Sequence, residues 1–430
     1  MYEHVRMSLL DRAFYLLDSA RSPQDFTLIF HLKDAPEVDR FYAGAKSAMN
    51  RFPASACWNN GRAWVWRENK YFKLEIVTAA SEVESRSAIE RFVDKPFELR
   101  REPPVKQMLV LNDSCLVTKF HHAAADGLSA ALWLGHQLNV AFGVEEEQVE
   151  RGAFEGVRLR RQAVSLRRSE FAFEGASDRL WTTGSKRCGA RRWVTMGFAS
   201  GELQRACRRA GGFTYNDLLA TCAIEILRRW NSTHGRPRRA APTIGIESHK
   251  NVWAPVVADK IGLWVPMNVR CRAAEGFGNG TSRIRVYAKY DANATLIEKC
   301  REVRRQVSWT SEHGEWVVPE ISWFTRLPRA IIGPLLRGYL NLPSVDMATG
   351  VFSHAPTAMA NACEAFKHVE RIECVGLLHP RQSLAINATT HSGQTWLTLT
   401  YDAAQLTTDD VQELSRLYEQ QIAIAREELS

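Results

Sequence analysis

Apolar residues recur along this chain at two different periods, and the alternation between them predicts its elements. Ser8 to Leu17 has helical spacing, and Phe26 to Leu32 is a short β-type run. Pro36 to Asn50 places Val38, Phe41, Tyr42, Ala45 and Met49 on one helical face. Alternating stretches follow at Ala63 to Trp66 and Phe72 to Val77. Cys115 to Phe120 reads as a strand, and Leu128 to Phe142 as a helix. Further on, the pattern predicts a strand at Trp193 to Phe198 and a helix at Tyr215 to Trp230. Strands are expected at Ala385 to Thr389 and at Trp396 to Tyr401, the second half-buried. A final amphipathic helix opens at Thr407 or Thr408 as N-cap and carries Val411, Leu414, Leu417, Ile422 and Ile424. Strands and helices interleave in both halves, which predicts a mixed α/β (α+β) chain of two lobes.

At 430 residues, 45% hydrophobic and 24% charged, the composition is that of a folded globular protein too long for one core. No run approaches the ~20 apolar residues of a membrane-spanning helix. The opening residues lack the layout of a secretory signal. The nine cysteines are scattered without a Cys-x-x-Cys pair, which speaks for reduced thiols and a cytoplasmic location.

The net charge of +8 is unevenly spread. Residues 151–192 hold Arg158, Arg160, Arg161, Arg167, Arg168, Lys186, Arg187, Arg191 and Arg192 among several glycines. This segment reads as a basic connector, partly helical around Gln162 to Phe173, between a lobe at 1–150 and a lobe at 193–430. Either it is a solvated linker or it docks something anionic: a coenzyme A tail, an acidic carrier protein or a membrane. Nucleic acid is not expected, because no nucleic-acid-binding signature accompanies the charge.

The chemistry concentrates where the Cys115 strand meets the Leu128 helix, at His121-His122-Ala-Ala-Ala-Asp126-Gly127. Neighbouring strand residues point to opposite faces, so only one of the two histidines can face a given cleft. A neutral imidazole there can take a proton from a hydroxyl or amine attacking an activated carbonyl. Asp126 could fold beneath the loop and pair with an arginine, and Gly127 would supply a positive backbone angle. Two bland readings compete: a buried structural histidine pair, and a metal site, for which no further ligand cluster is present.

His-His-x-x-x-Asp-Gly resembles the signature of the CoA-dependent acyltransferase superfamily, which includes condensation domains and wax ester synthase/diacylglycerol acyltransferases. Met7 to Ser19 resembles the opening helix of the wax ester synthase branch, and Thr214-Tyr-Asn216-Asp217 its Asn-Asp helix start. Gly262 to Arg270, with Gly278-Asn279-Gly280 downstream, and the layout of Phe352 to Asp402 are similar to later segments of that branch.

The resemblance implies two chloramphenicol-acetyltransferase-like lobes in a V with a tunnel between them. His122 would be the base, His121 and Gly127 part of the structural motif, and Asp126 a structural partner of Arg270. Asn216, Asn279 and Ser353 are candidate oxyanion or tunnel residues, each with a bland reading as cap, turn or strand end. Ser353-His354-Ala355-Pro356-Thr357 departs from the branch's Ser-Asn-x-Pro-Gly.

The implied activity is acyl transfer from acyl-CoA or an acyl-carrier protein to a hydroxyl or amine, the phosphopantetheine thioester being substrate and no cofactor being required. A lipid alcohol and a small molecule are both open as acceptor. So are a freestanding condensation-type enzyme of natural-product biosynthesis and a non-catalytic binding module. Ala330 to Leu340 either touches a membrane peripherally, lines an acyl tunnel, or is a core helix broken at Pro334; the core helix is the reading favoured.

Overall fold

The computed structural model describes residues 3–34, 37–66, 72–147, 150–154, 157, 170–173, 176–184, 186–235, 260–271, 277–291, 293–313, 329–342, 345, 347–355 and 364–430. Thr357, Arg158, Arg160, Arg161, Arg167, Arg168 and most of the helix expected around Gln162 to Phe173 lie outside these residues.

The first half runs β1 (His4–Arg6), α1 (Leu9–Leu17), β2 (Asp25–Leu32), α2 (Val38–Arg51), β3 (Cys57–Asn59), β4 (Ala63–Trp66), β5 (Leu74–Val77), α3 (Glu82–Asp94), β6 (Val105–Val110), β7 (Cys115–His121) and α4 (Gly127–Ala141). The second runs β8 (Arg191–Ala199), α5 (Gly201–Ala210), α6 (Tyr215–His234), β9 (Gly262–Asn268), β10 (Thr281–Tyr287), α7 (Leu296–His313), α8 (Arg329–Asn341), β11 (Gly350–Ala355), β12 (Val369–Val375), β13 (Leu384–His391), β14 (Gln394–Asp402) and α9 (Thr408–Leu429). Helices open on capping boxes at Ser8 with Asp11, Thr214 with Asp217, Thr295 with Glu298 and Thr407 with Asp410, each satisfying backbone donors that a helix start leaves free.

Each lobe is built on one sheet. The first has the order β12-β2-β7-β6-β5 and the second β10-β9-β11-β13-β14-β8, while β1, β4 and β3 form a small third sheet. In the first lobe α2 and α4 cover one face through Phe41, Ala45, Met49, Trp133 and Leu134, and α3 covers the other through Ile89, Phe92 and Val93. Every residue of β7 is therefore buried, including Lys119 and His121. Helices α2 and α4 touch so closely at Gly44 that a Cβ there would sit 2.4 Å from the Gln137 carbonyl oxygen. In the second lobe α6, α7 and α9 pack on one face of the sheet, around Trp230, Val303 and Tyr418.

β12 belongs by sequence to the later half, yet it pairs antiparallel with β2 in the first sheet. It also lies against the open face of the second. Thr389 Oγ1 donates to the Ile372 carbonyl at 2.7 Å, and the Cys374 and Gly376 N–H groups donate to the hydroxyls of Thr398 (3.2 Å) and Thr400 (3.0 Å). The polar face of β14 is thus buried against β12, so this alternating strand is covered on both sides. Helix α8 differs from the core helix expected. It runs unbroken through Pro334, packs on α1 where Gly333 and Arg337 meet the Leu16 carbonyl, buries Ile332, and leaves Ile331, Leu335 and Tyr339 exposed.

Candidate functional site

β7 ends at His121 because the chain turns sharply there, the Ala124 N–H donating back to the His121 carbonyl at 2.9 Å. Opposite orientation of successive residues then separates the two histidines. His121 is fully buried. Its Nδ1 accepts from the Ala123 N–H at 3.1 Å, and its Nε2 faces the Asp18 carboxylate at 3.7 Å. Burial would raise the Asp18 carboxyl, but His121, the Gln24 N–H and Arg329 hold it down at about 2.

His122 is half-buried and turns toward the other lobe. Its backbone N–H donates to the Gln24 carbonyl at 2.8 Å. The ring stacks on Phe14 at 4.1 Å between centroids, with Phe26 edge-on at 5.4 Å. Asn279 Nδ2 donates to the His122 carbonyl at 3.0 Å and lies 3.4 Å from the ring's Nδ1. Burial among these aromatics drives the imidazole down to about 4, outweighing the upward pull of the Asp126 charge. The ring is neutral at pH 7.

Asp126 caps α4 and ties the lobes together. Its Oδ1 accepts from the Ser129 N–H (3.0 Å) and from Arg270 Nη2 (2.7 Å). Its Oδ2 accepts from the Gly280 N–H (2.9 Å) and the Thr281 hydroxyl (2.7 Å). Burial works to raise this carboxyl, and Arg270, Ser129 and Thr281 together hold it below its ordinary value. Arg270 Nη2 also donates to Ser129 Oγ (2.9 Å) and the Gly278 carbonyl (2.8 Å). Residue 280 has to be glycine for this packing, since a Cβ there would meet the Arg270 side chain at 2.5 Å. Gly127 corrects the expectation of a positive backbone angle. It is the first residue of α4, where helical geometry requires negative φ, and the space beside its Cα is open.

The structure therefore gathers His121, His122, Asp126, Arg270 and Asn279 at one junction, with Gly127 opening the helix beside it. Two further expected residues stand apart. Asn216 lies in the first turn of α6, whose cap is Thr214, and its side chain makes no hydrogen bond to the described residues. Ser353 sits on β11 opposite Asn387. His354 is turned to the helix side of the sheet, bonded to Thr390 at 2.9 Å and packed edge-on against Tyr215.

Sequence reading missed a buried cluster behind the junction. Arg191 is 1% exposed; it pairs with the Asp25 carboxylate and donates to the Asp25 carbonyl at 2.6 Å. Lys119 lies 3.4 Å from Asp25 and donates to the carbonyls of Val93 (2.7 Å) and Lys95 (2.6 Å). Arg187 sits beside Asp402 and donates to the carbonyls of Leu378 and His379, and Arg192 pairs with Glu90 and Asp94. These connector arginines are structural ion pairs, not part of a solvated basic face. The only signal was a charge inside an apolar run, at Asp25 and Lys119. No group of residues able to hold a metal occurs among the described residues, and none of their helices is long and apolar enough to cross a membrane.

No protein-family model matches the chain, and no curated protein matches it by sequence. Solved structures do match. The first condensation domain of the calcium-dependent antibiotic synthetase, in complex with a substrate analogue, has a TM-score of 0.67 at 14% identity, over 98% of this chain and 97% of that one. A variant of the starter condensation domain of rhizomide synthetase RzmA, in complex with C8-CoA, has a TM-score of 0.64 at 11% identity, over 98% and 95%. The trichothecene 15-O-acetyltransferase TRI3 from Fusarium sporotrichioides has a TM-score of 0.63 at 12% identity, over 99% and 96%. This chain has the two-lobed fold shared by condensation domains and the CoA-dependent acyltransferases.

Proposed function

We propose that this chain is an acyltransferase that moves an acyl group from a thioester to a hydroxyl or amine, with His122 as general base. The observation that carries the reading is a half-buried imidazole, neutral at pH 7, presented on a rigid turn at the junction of the lobes. Asn279 Nδ2 lies at the Nδ1 side of the ring, so Nε2 is the nitrogen we assign to the acceptor. A proton on Nδ1 leaves Nε2 as the basic nitrogen.

An acceptor O–H or N–H hydrogen-bonded to Nε2 would lose its proton as its heavy atom attacks the thioester carbonyl. The tetrahedral intermediate then collapses, the C–S bond breaks, and the departing thiolate takes the proton from the imidazolium. The donor thus leaves as a free thiol. The Asp126 charge favours the imidazolium that forms in between. Asp126 has all four of its hydrogen bonds committed to the protein, so its role is to shape the loop. Asn279 positions His122 through the backbone carbonyl.

The likeness to a condensation domain in complex with C8-CoA and to an O-acetyltransferase supports both a CoA thioester donor and a hydroxyl acceptor. Carrier-bound thioesters remain within the proposal, since a neighbouring structure is a cyclization-docking bidomain. The test is release of free thiol, followed with a thiol reagent, across acyl-CoAs of graded length and acyl-carrier-protein thioesters with pooled alcohols and amines. Acceptor-dependent release that His122→Ala abolishes supports the reading. No release with any pair, by folded protein, rejects acyl transfer and leaves a binding module.

A further inference from the structure

Beyond His122, the second lobe contributes a recess whose chemistry the acyl-transfer step does not use. Residues Thr281, Arg283 and Arg285 alternate on one face of β10, while Ile284 and Val286 face the core. Thr281 is bonded to Asp126 beneath the His122 turn. That sets Arg283 about 7 Å further along the same face.

The Arg283 side chain is exposed, yet enough protein surrounds it that desolvation draws its guanidinium down to about 10. Arg283 stands on the sheet face that carries Trp264 and Thr281, and Thr281 on that face meets the loop after His122. The Arg283 guanidinium carbon lies over the Trp264 ring, 3.7 Å from the centroid. It forms no ion pair or hydrogen bond with the described residues, and its nearby charge is Arg285, of the same sign. A cation held in a cleft without a counter-charge is an electrostatic cost, since a partner would normally satisfy it.

Two more donors share the recess. Trp264, 2% exposed, has an indole N–H with no partner among the described residues. His379 packs edge-on against Trp264 at 5.0 Å, and its imidazole bonds to none of the described residues. His379 lies 6.2 Å from Phe14, which stacks on His122, so aromatic walls run from Arg283 to the proposed base.

We propose that Arg283 receives a carboxylate carried by the acceptor substrate, holding a small hydroxy or amino acid with its nucleophile at His122. The inference rests on the acyl-transfer reading for the word acceptor, but the anion site itself does not. An oxyanion could equally be a phosphate, free or in CoA. The recess favours the carboxylate: burial first, and the Arg283 and Arg187 charges, hold the His379 imidazole well below its ordinary value, leaving Arg283 as the charge facing the ligand. Phe14 and Trp264 meanwhile suit an apolar body between the two polar ends.

The test is calorimetric titration of wild type, Arg283→Gln and Arg283→Lys without any thioester. The probes are a panel of aromatic and aliphatic hydroxy and amino acids, their methyl esters, inorganic phosphate and CoA. Circular dichroism melts check that the variants fold. We expect at least one free acid to bind wild type more tightly than its ester. Arg283→Gln should weaken that acid about tenfold or more and leave the ester unchanged, with partial recovery in Arg283→Lys. Acid affinities that match in wild type and Arg283→Gln overturn the proposal, as does Arg283 dependence confined to phosphate or CoA. Arg283-dependent acid binding without thiol release in the parallel assay would leave the recess standing and strike only the acyl-transfer reading.

Discussion

Replacing Asp126 by alanine isolates the link on which the geometry of the junction depends. The substitution removes the cap of α4 and leaves the Ser129 and Gly280 N–H groups and the Thr281 hydroxyl without their carboxylate acceptor. Arg270, 1% exposed, keeps Ser129 Oγ and the Gly278 carbonyl but loses its counter-charge. Breaking a buried pair by deleting one partner costs about 3–5 kcal/mol, of which the lost cap is about 1. Over 430 residues, an unfolding entropy of about 2 cal/mol/K per residue turns ~4 kcal/mol into a fall in Tm of about 4 °C. Urea denaturation and calorimetry would read both quantities. The companion Asp126→Ala/Arg270→Met variant, which removes both charges, should be less destabilised than the two singles summed, with a coupling of about 2 kcal/mol or more. Because the folded carboxyl is depressed, its contribution is fully present above the unfolded carboxylate range and is lost as pH falls below it. An Asp126→Ala protein as stable as wild type, or singles that add without coupling, would refute the argument that this pair ties the lobes.

His122→Ala should lower turnover by about 10²-fold or more while leaving the melting transition near that of wild type, checked by thiol release and calorimetry. With the imidazole held at about 4, the base form persists down to that pH, so the acid limb of kcat/KM should lie near pH 4 to 5 instead of 6.5. A limb at 6.5 would contradict it. Asp25→Ala leaves Arg191 and Lys119 buried without their carboxylate and should cost about 3–5 kcal/mol, visible as lost soluble yield or a lower urea midpoint. On α8, Leu335→Ser should change stability by less than about 0.5 kcal/mol, whereas Ile332→Ser, at a buried position, should cost about 2 or more by the same denaturation assay.

Local order was legible in the chain because it is local physics. The spacing of Val38, Phe41, Ala45 and Met49 and the Thr-x-x-Asp cap before Val411 depend on residues a few positions apart, and the corresponding helices form at those places. The turn from β7 into α4 was legible for the same reason, with its two histidines on opposite faces. Tertiary structure decided what those faces meet. Thr398 and Thr400 have the alternation of a solvated strand face, but β12 arrives from elsewhere in the chain to bury them, which no period can encode. Ala330 to Leu340 has the apolarity of a core helix and ends on the surface, because Ile332 and Gly333 are its buried residues. The site shows the same division. The motif marks His122, but its low basicity comes from Phe14 and Phe26, and Asp126 finds its cation 144 residues away. Burial and pairing are properties of whoever is adjacent in space, and for His122, Asp126 and β14 those neighbours come from distant parts of the chain.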